Sequence, residues 1–165
     1  VRPELLNAFE TNDQRRLHWV TSRTYLGQII FYPYKYKVFG NNAPLSEFYM
    51  VVRLAEQFLI RAEARAMQSK IGEAADDINV VRNRAGLAGV SPSDQISTLA
   101  AIEQERKIEL ANEWGHRWFD LKRTGKSDLI LGTLKPSTWQ SSDILWPIPF
   151  DQINLNSALV QNPGY

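Results

Sequence analysis

A mostly α-helical fold is what this sequence predicts, and three observations predict it. Apolar residues recur at helical spacing, at Val51, Ala55, Phe58, Leu59, Ala62 and Ala66, and again at Ala74, Ile78 and Val81. Charge collects in the same stretch, since residues 48–125 hold eleven of the 19 Lys and Arg and eleven of the 18 Asp and Glu. The flanks differ in kind: residues 1–47 are rich in aromatics, and residues 126–165 contain four of the eight prolines. The expectation is one domain over 1–165, with an extended aromatic leader (1–47), a helical scaffold (48–125) and a proline-rich coil tail (126–165).

Each element follows in order. From Tyr25 to Phe39 strand alternation places Tyr32, Tyr34, Tyr36 and Val38 on one face and Lys35 and Lys37 on the other, while Pro33 confines the segment to an edge strand or extended loop. A first helix is expected from about Ser46, its N-cap, to Gln68, and a second from about Glu73 to Arg84, closed by Gly86 in the left-handed conformation. The turn between them is so short that the two must pack antiparallel, with Ala62, Ala66 and Ala74 where the helices approach. That is the size and shape of one tetratricopeptide-like hairpin. A loop over 87–97 leads to a third helix, about Thr98 to Glu113, and a fourth runs from about Arg117 to Arg123 before Gly125. The tail is expected to lie extended, anchored by Trp146, Ile148 and Phe150.

Composition excludes several classes of function. A net charge of +1 without long like-charge runs argues against nucleic acid as a partner, and the absence of cysteine removes thiol chemistry and thiolate metal sites. The longest apolar run, Phe48 to Val52, is far short of the roughly 20 residues a membrane helix needs. The chain opens Val1-Arg2-Pro3 with no leader, so it reads as a piece of something longer or as a processed form. His18 and His116 are too far apart in sequence for a zinc motif, and no phosphate loop or serine elbow is present, so neither a metal nor a cofactor is expected. Glu105, Glu109 and Glu113 are four apart and could be an acid/base set of a glycoside hydrolase. On one helix they would point the same way, however, and Arg53, Arg61, Arg65, Arg106, Lys107 and Arg117 are at hand for ion pairing, which is the preferred reading.

Aromatics make the better case, for binding. Trp19, Tyr25, Tyr32, Tyr34, Tyr36 and Trp139 fall in segments read as strand or loop, where an exposed ring can stack on the C–H face of a sugar. Asn12, Asp13, Arg15, Arg23, Asn41 and Asn42 are candidate partners for its hydroxyls. Trp114, Trp118 and Phe119 are assigned to the core.

Several blocks then occur in a recognisable order: NDQRR at 12–16, RLAEQFLIRAEARA at 53–66, EAADDINVVRNRAGL at 73–87, IEQERKIELANEWGHRWFDLKRTG at 102–125, LWPIPFDQI at 145–153 and QNPGY at 161–165. Together they resemble the C-terminal region of the SusD/RagB family, outer-membrane nutrient-binding lipoproteins of Bacteroidetes. The resemblance implies a helical scaffold whose loops build a ligand site, in a protein held on the outer face of the outer membrane by an N-terminal lipid. It also implies a non-catalytic role: binding glycans, or peptides in some members, and delivering them to a SusC-like TonB-dependent transporter. Glu105, Arg106, Glu109, Glu113, Arg117 and Asp120 match the family's structural polar core. A third possibility is a helical scaffold that only docks other proteins, with the tyrosines of 32–36 buried.

Overall fold

A computed structural model describes residues 1–38, 40 and 42–165. Asn41, one of the expected hydroxyl partners, lies outside the described residues, as does Phe39, the end of the expected strand. The chain forms two compact units, Val1–Trp114 and Gly115–Tyr165.

In the first unit, α1 (Pro3–Leu6) and α2 (Gln14–Trp19) precede a hairpin of β1 (Val20–Tyr25) and β2 (Gln28–Pro33), followed by α3 (Leu54–Met67), α4 (Ile71–Arg84) and α5 (Gln95–Glu109). The leader is therefore more structured than its sequence suggests. Asp13 caps α2 by accepting the Arg15 backbone N–H at 2.9 Å. The strands pair antiparallel with Tyr25 opposite Gln28, and Leu26 and Gly27 both have positive φ, as a two-residue primed hairpin turn requires. Alternation extends past Pro33 in the sequence, but the strand does not. Tyr34 N–H bonds the Trp19 carbonyl at 2.7 Å, and Tyr34 and Tyr36 lie beyond the ladder.

The central helices form the expected hairpin. Ala62, Ala66, Ala74 and Ile78 are fully buried between α3 and α4, and Ile102 of α5 completes the layer. Methyl side chains at Ala62, Ala66 and Ala74 let the two backbones approach, and larger ones would push them apart. A second cluster, Ala55, Leu59 and Val81, extends the seam toward the start of α3. The chain turns between α3 and α4 through Ser69 at φ +60°. Gly86 is at φ +77° as expected, and a Cβ there would meet the Gln14 side chain at 3.1 Å.

Two helices differ from expectation in where they begin or end. Residues 46–53 are not helical: the N-cap of α3 is Arg53, not Ser46, with extended backbone that sends its guanidinium toward the end of α5. The successive β-branched Val51 and Val52 also disfavour another helical turn. The other difference is in α5, which begins three residues early because Asp94 and Ser97 form a reciprocal capping box, and ends at Glu109. Positive φ at Asn112, Trp114 and Gly115 breaks the helix, so Glu113 does not share a helix with Glu105 and Glu109.

In the second unit, α6 (His116–Arg123) matches its prediction closely, and α7 (Ser127–Leu134), a 3-10 turn (Ser141–Ile144) and α8 (Phe150–Leu155) follow. These three were not expected; the 3-10 turn and α8, of 4 and 6 residues, are too short to show a helical period. The expected anchors also differ: Trp146 is 72% and Phe150 73% exposed, and the segment is held by polar bonds instead. The Gln161 side chain bonds both the N–H and the carbonyl of Ile148, at 2.8 and 2.9 Å, and Asn162 Nδ2 donates to the Trp146 carbonyl at 2.6 Å.

Candidate functional site

The first unit is organised around buried charge. Glu105 and Glu109, one turn apart on α5, are 1% and 0% exposed. Between them lies the Arg15 guanidinium, bonded to Glu105 through Nη1, to Glu109 Oε2 at 3.1 Å, and to both oxygens of Asp13 at 2.9 Å. Glu109 Oε1 accepts from Arg53 at 2.6 Å and Arg84 at 2.5 Å, and Arg82 links Glu105 to Glu10. Glu113, brought in by the turn, pairs with Arg53 at 2.9 Å and Lys35 at 2.7 Å.

The pKa directions follow from these partners. Burial pushes Glu109 up, but hydrogen bonds from Arg84 and Arg53 outweigh it and hold the carboxyl below its ordinary value. For Glu105 burial wins over Arg15 and Arg82, and the group is raised. Lys35 is lowered to about 8 by burial, partly offset by its bond to Glu113. Each of the three glutamates thus touches at least one arginine, and the carboxylates serve as counter-ions instead of flanking a cleft. Asp120 of the second unit is likewise buried and accepts from Arg123 at 2.9 Å, while Arg106 is buried and Arg117 half-buried.

Sequence reasoning placed two members of this network elsewhere. Asp13 and Arg15, expected beside a sugar platform, are 2% and 3% exposed and belong to the ionic core. Lys35 was missed, because strand alternation suggests a solvated lysine. Its ammonium in fact lies 4.2 Å from the Trp19 ring centre and also bonds the Glu109 carbonyl at 2.7 Å. Among the described residues, no group of three or more His, Asp or Glu is arranged to hold a metal ion.

The expected aromatic set is not gathered in one place. Trp19 is half-buried with one face under Lys35, Tyr34 has Lys37 at 5.2 Å, and exposed Tyr25 has Arg23 at 5.9 Å. Tyr32, Tyr34 and Tyr36 are half-buried, short of the burial a pure scaffold role requires. Tyr36 does join a cluster, but with Tyr49 (ring centres 4.6 Å apart), and Tyr49 packs edge-on to Trp114 at 6.2 Å. The backbone of Met50 ties the cluster together: its N–H donates to Tyr36 Oη, and its carbonyl accepts from Trp114 Nε1, both at 3.2 Å. Tyr49 is 75% and Trp114 54% exposed, so Trp114 is no core residue, and neither is Phe119 at 60%. Tyr49 falls within the stretch where the sequence predicts a helix, about Ser46 to Gln68, and the non-helical backbone there is what brings its ring to Tyr36.

In the second unit Trp139 stands edge-on to Trp118 at 6.2 Å and donates Nε1–H to Asp128 at 2.9 Å. Trp118, Trp139, Trp146 and Tyr165 line a cavity of about 300 Å³.

The comparison with known proteins now identifies the lineage. The SusD family pattern matches residues 28–165. This chain belongs to the SusD family. A SusD-like protein of Formosa agariphila is 32% identical over 95% of the chain, which covers 33% of that protein. The starch-binding protein SusD of Bacteroides thetaiotaomicron is 35% identical over 68% of the chain and 21% of its own length. Among solved structures, surface glycan-binding protein A of Bacteroides uniformis superposes with a TM-score of 0.75 at 26% identity, over 98% of this chain and 40% of that one. The chain spans about a third or less of the curated SusD relatives it matches. Among the described residues, no helix is long and apolar enough to cross a membrane.

Proposed function

We propose that this SusD-family chain belongs to a non-catalytic glycan-binding protein that captures oligosaccharides at the outer face of the outer membrane and passes them to a SusC-like TonB-dependent transporter. The observation that carries the reading is the cluster of Tyr36, Tyr49 and Trp114. Tyr36 and Trp114 are tied by hydrogen bonds to the Met50 backbone, and Tyr49 and Trp114 are open to solvent, an arrangement suited to stacking on pyranose C–H faces. The names of two relatives, starch-binding and surface glycan-binding, support the same ligand class. Pairing of Glu105, Glu109 and Glu113 with arginines speaks for a structural role and against acid/base catalysis. In the whole protein, a lipid anchor on a segment outside this chain is the expected tether.

Isothermal titration of the protein at its natural length against a panel of polysaccharides and peptides tests the reading. Saturable binding of a glycan, without release of shorter sugars on long incubation, is expected. Peptide binding with no glycan binding would replace glycan by peptide as the cargo, and turnover of the glycan would overturn the non-catalytic role.

A further inference from the structure

The second unit contains an aromatic cleft that the first unit's cluster does not account for. Its walls are Trp118, Trp139, Trp146 and Tyr165, and Lys135, Thr138 and Asp143 bring polar groups to the same space. Three of the four walls have contacts of their own. Asp128 holds the Trp139 indole N–H at 2.9 Å, Lys122 sits 5.3 Å from the Trp118 ring centre, and Tyr165 Oη donates to the Leu145 carbonyl at 2.9 Å. Trp146 is carried between Leu145 and Pro147 on a segment pinned by Gln161 and Asn162, and it is 72% exposed. Among the described residues, no cation or second ring stacks on Trp146. With the backbone that carries it already fixed, Trp146 has only its side chain left to order when a ligand stacks on the open face.

The hollow along α3 makes a useful contrast. It is similar in volume, about 340 Å³, but its one ring, Phe58, has Arg61 over it at 5.2 Å, and Leu54 and Ile60 supply most of the remaining wall. It has one aromatic residue among its walls where the cleft has four, and Gln57 and Arg61 are its polar residues. In the cleft, Lys135, Thr138 and Asp143 stand beside the aromatic walls, and the single cationic and single anionic residue cancel.

We infer that this cleft is a subsite for one neutral pyranose residue of an oligosaccharide, with the sugar's C–H face on Trp146 and its hydroxyls within reach of Lys135, Thr138 and Asp143. The volume is at the small end of ligand sites, about 300 Å³ upward, which suits one ring and not a long chain. The balanced charge gives no preference to uronate or sulfated sugars. This inference rests on the glycan-binding reading above, and it adds a second contact point made by different residues.

The test is titration calorimetry on the protein at its natural length with maltohexaose, cellohexaose, laminarihexaose, mannohexaose, xylohexaose and an alginate hexamer. With whichever neutral hexaose binds wild type, Trp146→Ala is expected to weaken affinity about tenfold, the loss typical of one stacked aromatic anchor. Trp146→Phe should recover part of that, and Lys135→Met should cost a smaller factor at an unchanged melting temperature. If a neutral hexaose binds wild type and both Trp146→Ala and Lys135→Met equally well, the cleft is not a subsite, while the glycan-binding reading stands. Preference for the alginate hexamer overturns the assignment to a neutral sugar. Failure of every hexaose to bind wild type overturns the glycan-binding reading, and the subsite falls with it.

Discussion

The two units differ in how much charge they bury. In Val1–Trp114, charge is buried: Asp13, Arg15, Glu105 and Glu109 are almost wholly removed from water, and each finds its counter-ion inside. In Gly115–Tyr165, a large aromatic is exposed and the backbone around it is fixed by amide side chains, as Gln161 and Asn162 do for the segment carrying Trp146. The difference teaches that chemically conspicuous residues need not mark the functional surface. Glutamates spaced like a catalytic set hold the scaffold together, and the rings that could meet a ligand are carried by loops and short turns.

Breaking the ionic core should have the largest effect. Glu109→Ala leaves Arg15, Arg53 and Arg84 without a shared carboxylate, and loss of one partner from a buried ion pair typically costs about 3–5 kcal/mol. Urea denaturation is expected to show a loss of that order, and Arg15→Met should behave similarly because Asp13 and Glu105 would remain buried without it. A loss under 1 kcal/mol from both would mean that the network is dispensable.

Titration sharpens the contrast further. Glu109 is held below the ordinary glutamate value, so it contributes stability that is present above about pH 4.5 and lost as pH falls through its lowered pKa. Glu105 is raised and acts in the opposite sense, its contribution fading as pH rises through its folded pKa, so Glu105→Gln should make the acid loss steeper. Lys35 gives an alkaline signature. Its folded pKa is lowered to about 8 from 10.5, so between these values the unfolded chain holds a proton that the folded chain has released. Stability should therefore rise with pH through that window, and Lys35→Met should remove the rise in denaturation midpoints measured from pH 7.5 to 10.5.

A smaller effect tests the account of where α5 begins. Asp94→Ala removes the carboxylate that accepts the Ser97 backbone N–H, one half of the capping box, and is expected to cost about 1 kcal/mol, with Asp94→Asn recovering most of it.

The helical middle was legible because its signals are local. The spacing of Ala62, Ala66, Ala74 and Ile78 fixed a hairpin, Gly86 fixed its end, and Arg117–Arg123 was placed within a residue. The leader and tail were not, for two physical reasons. Short helices such as Phe150–Leu155 show no period, and a residue like Lys35 takes its place from partners some seventy-five positions away at Glu109 and Glu113. The candidate site was only partly readable for the same reason. Tyr36 and Trp139 could be named in advance, but Tyr49 and Trp114 reach Tyr36 only because the chain leaves the helical path at both ends of the α3–α5 stack.

The central claim is that aromatic side chains bind and the glutamates do not. Titration of a bound oligosaccharide into the protein at its natural length, wild type against the double variant Tyr49→Ala/Trp114→Ala, tests it most directly. The account predicts affinity at least about tenfold weaker at an unchanged melting temperature, as expected for removal of exposed aromatic anchors. Unchanged affinity in the double variant, together with affinity lost in a folded Glu113→Gln protein, would contradict it.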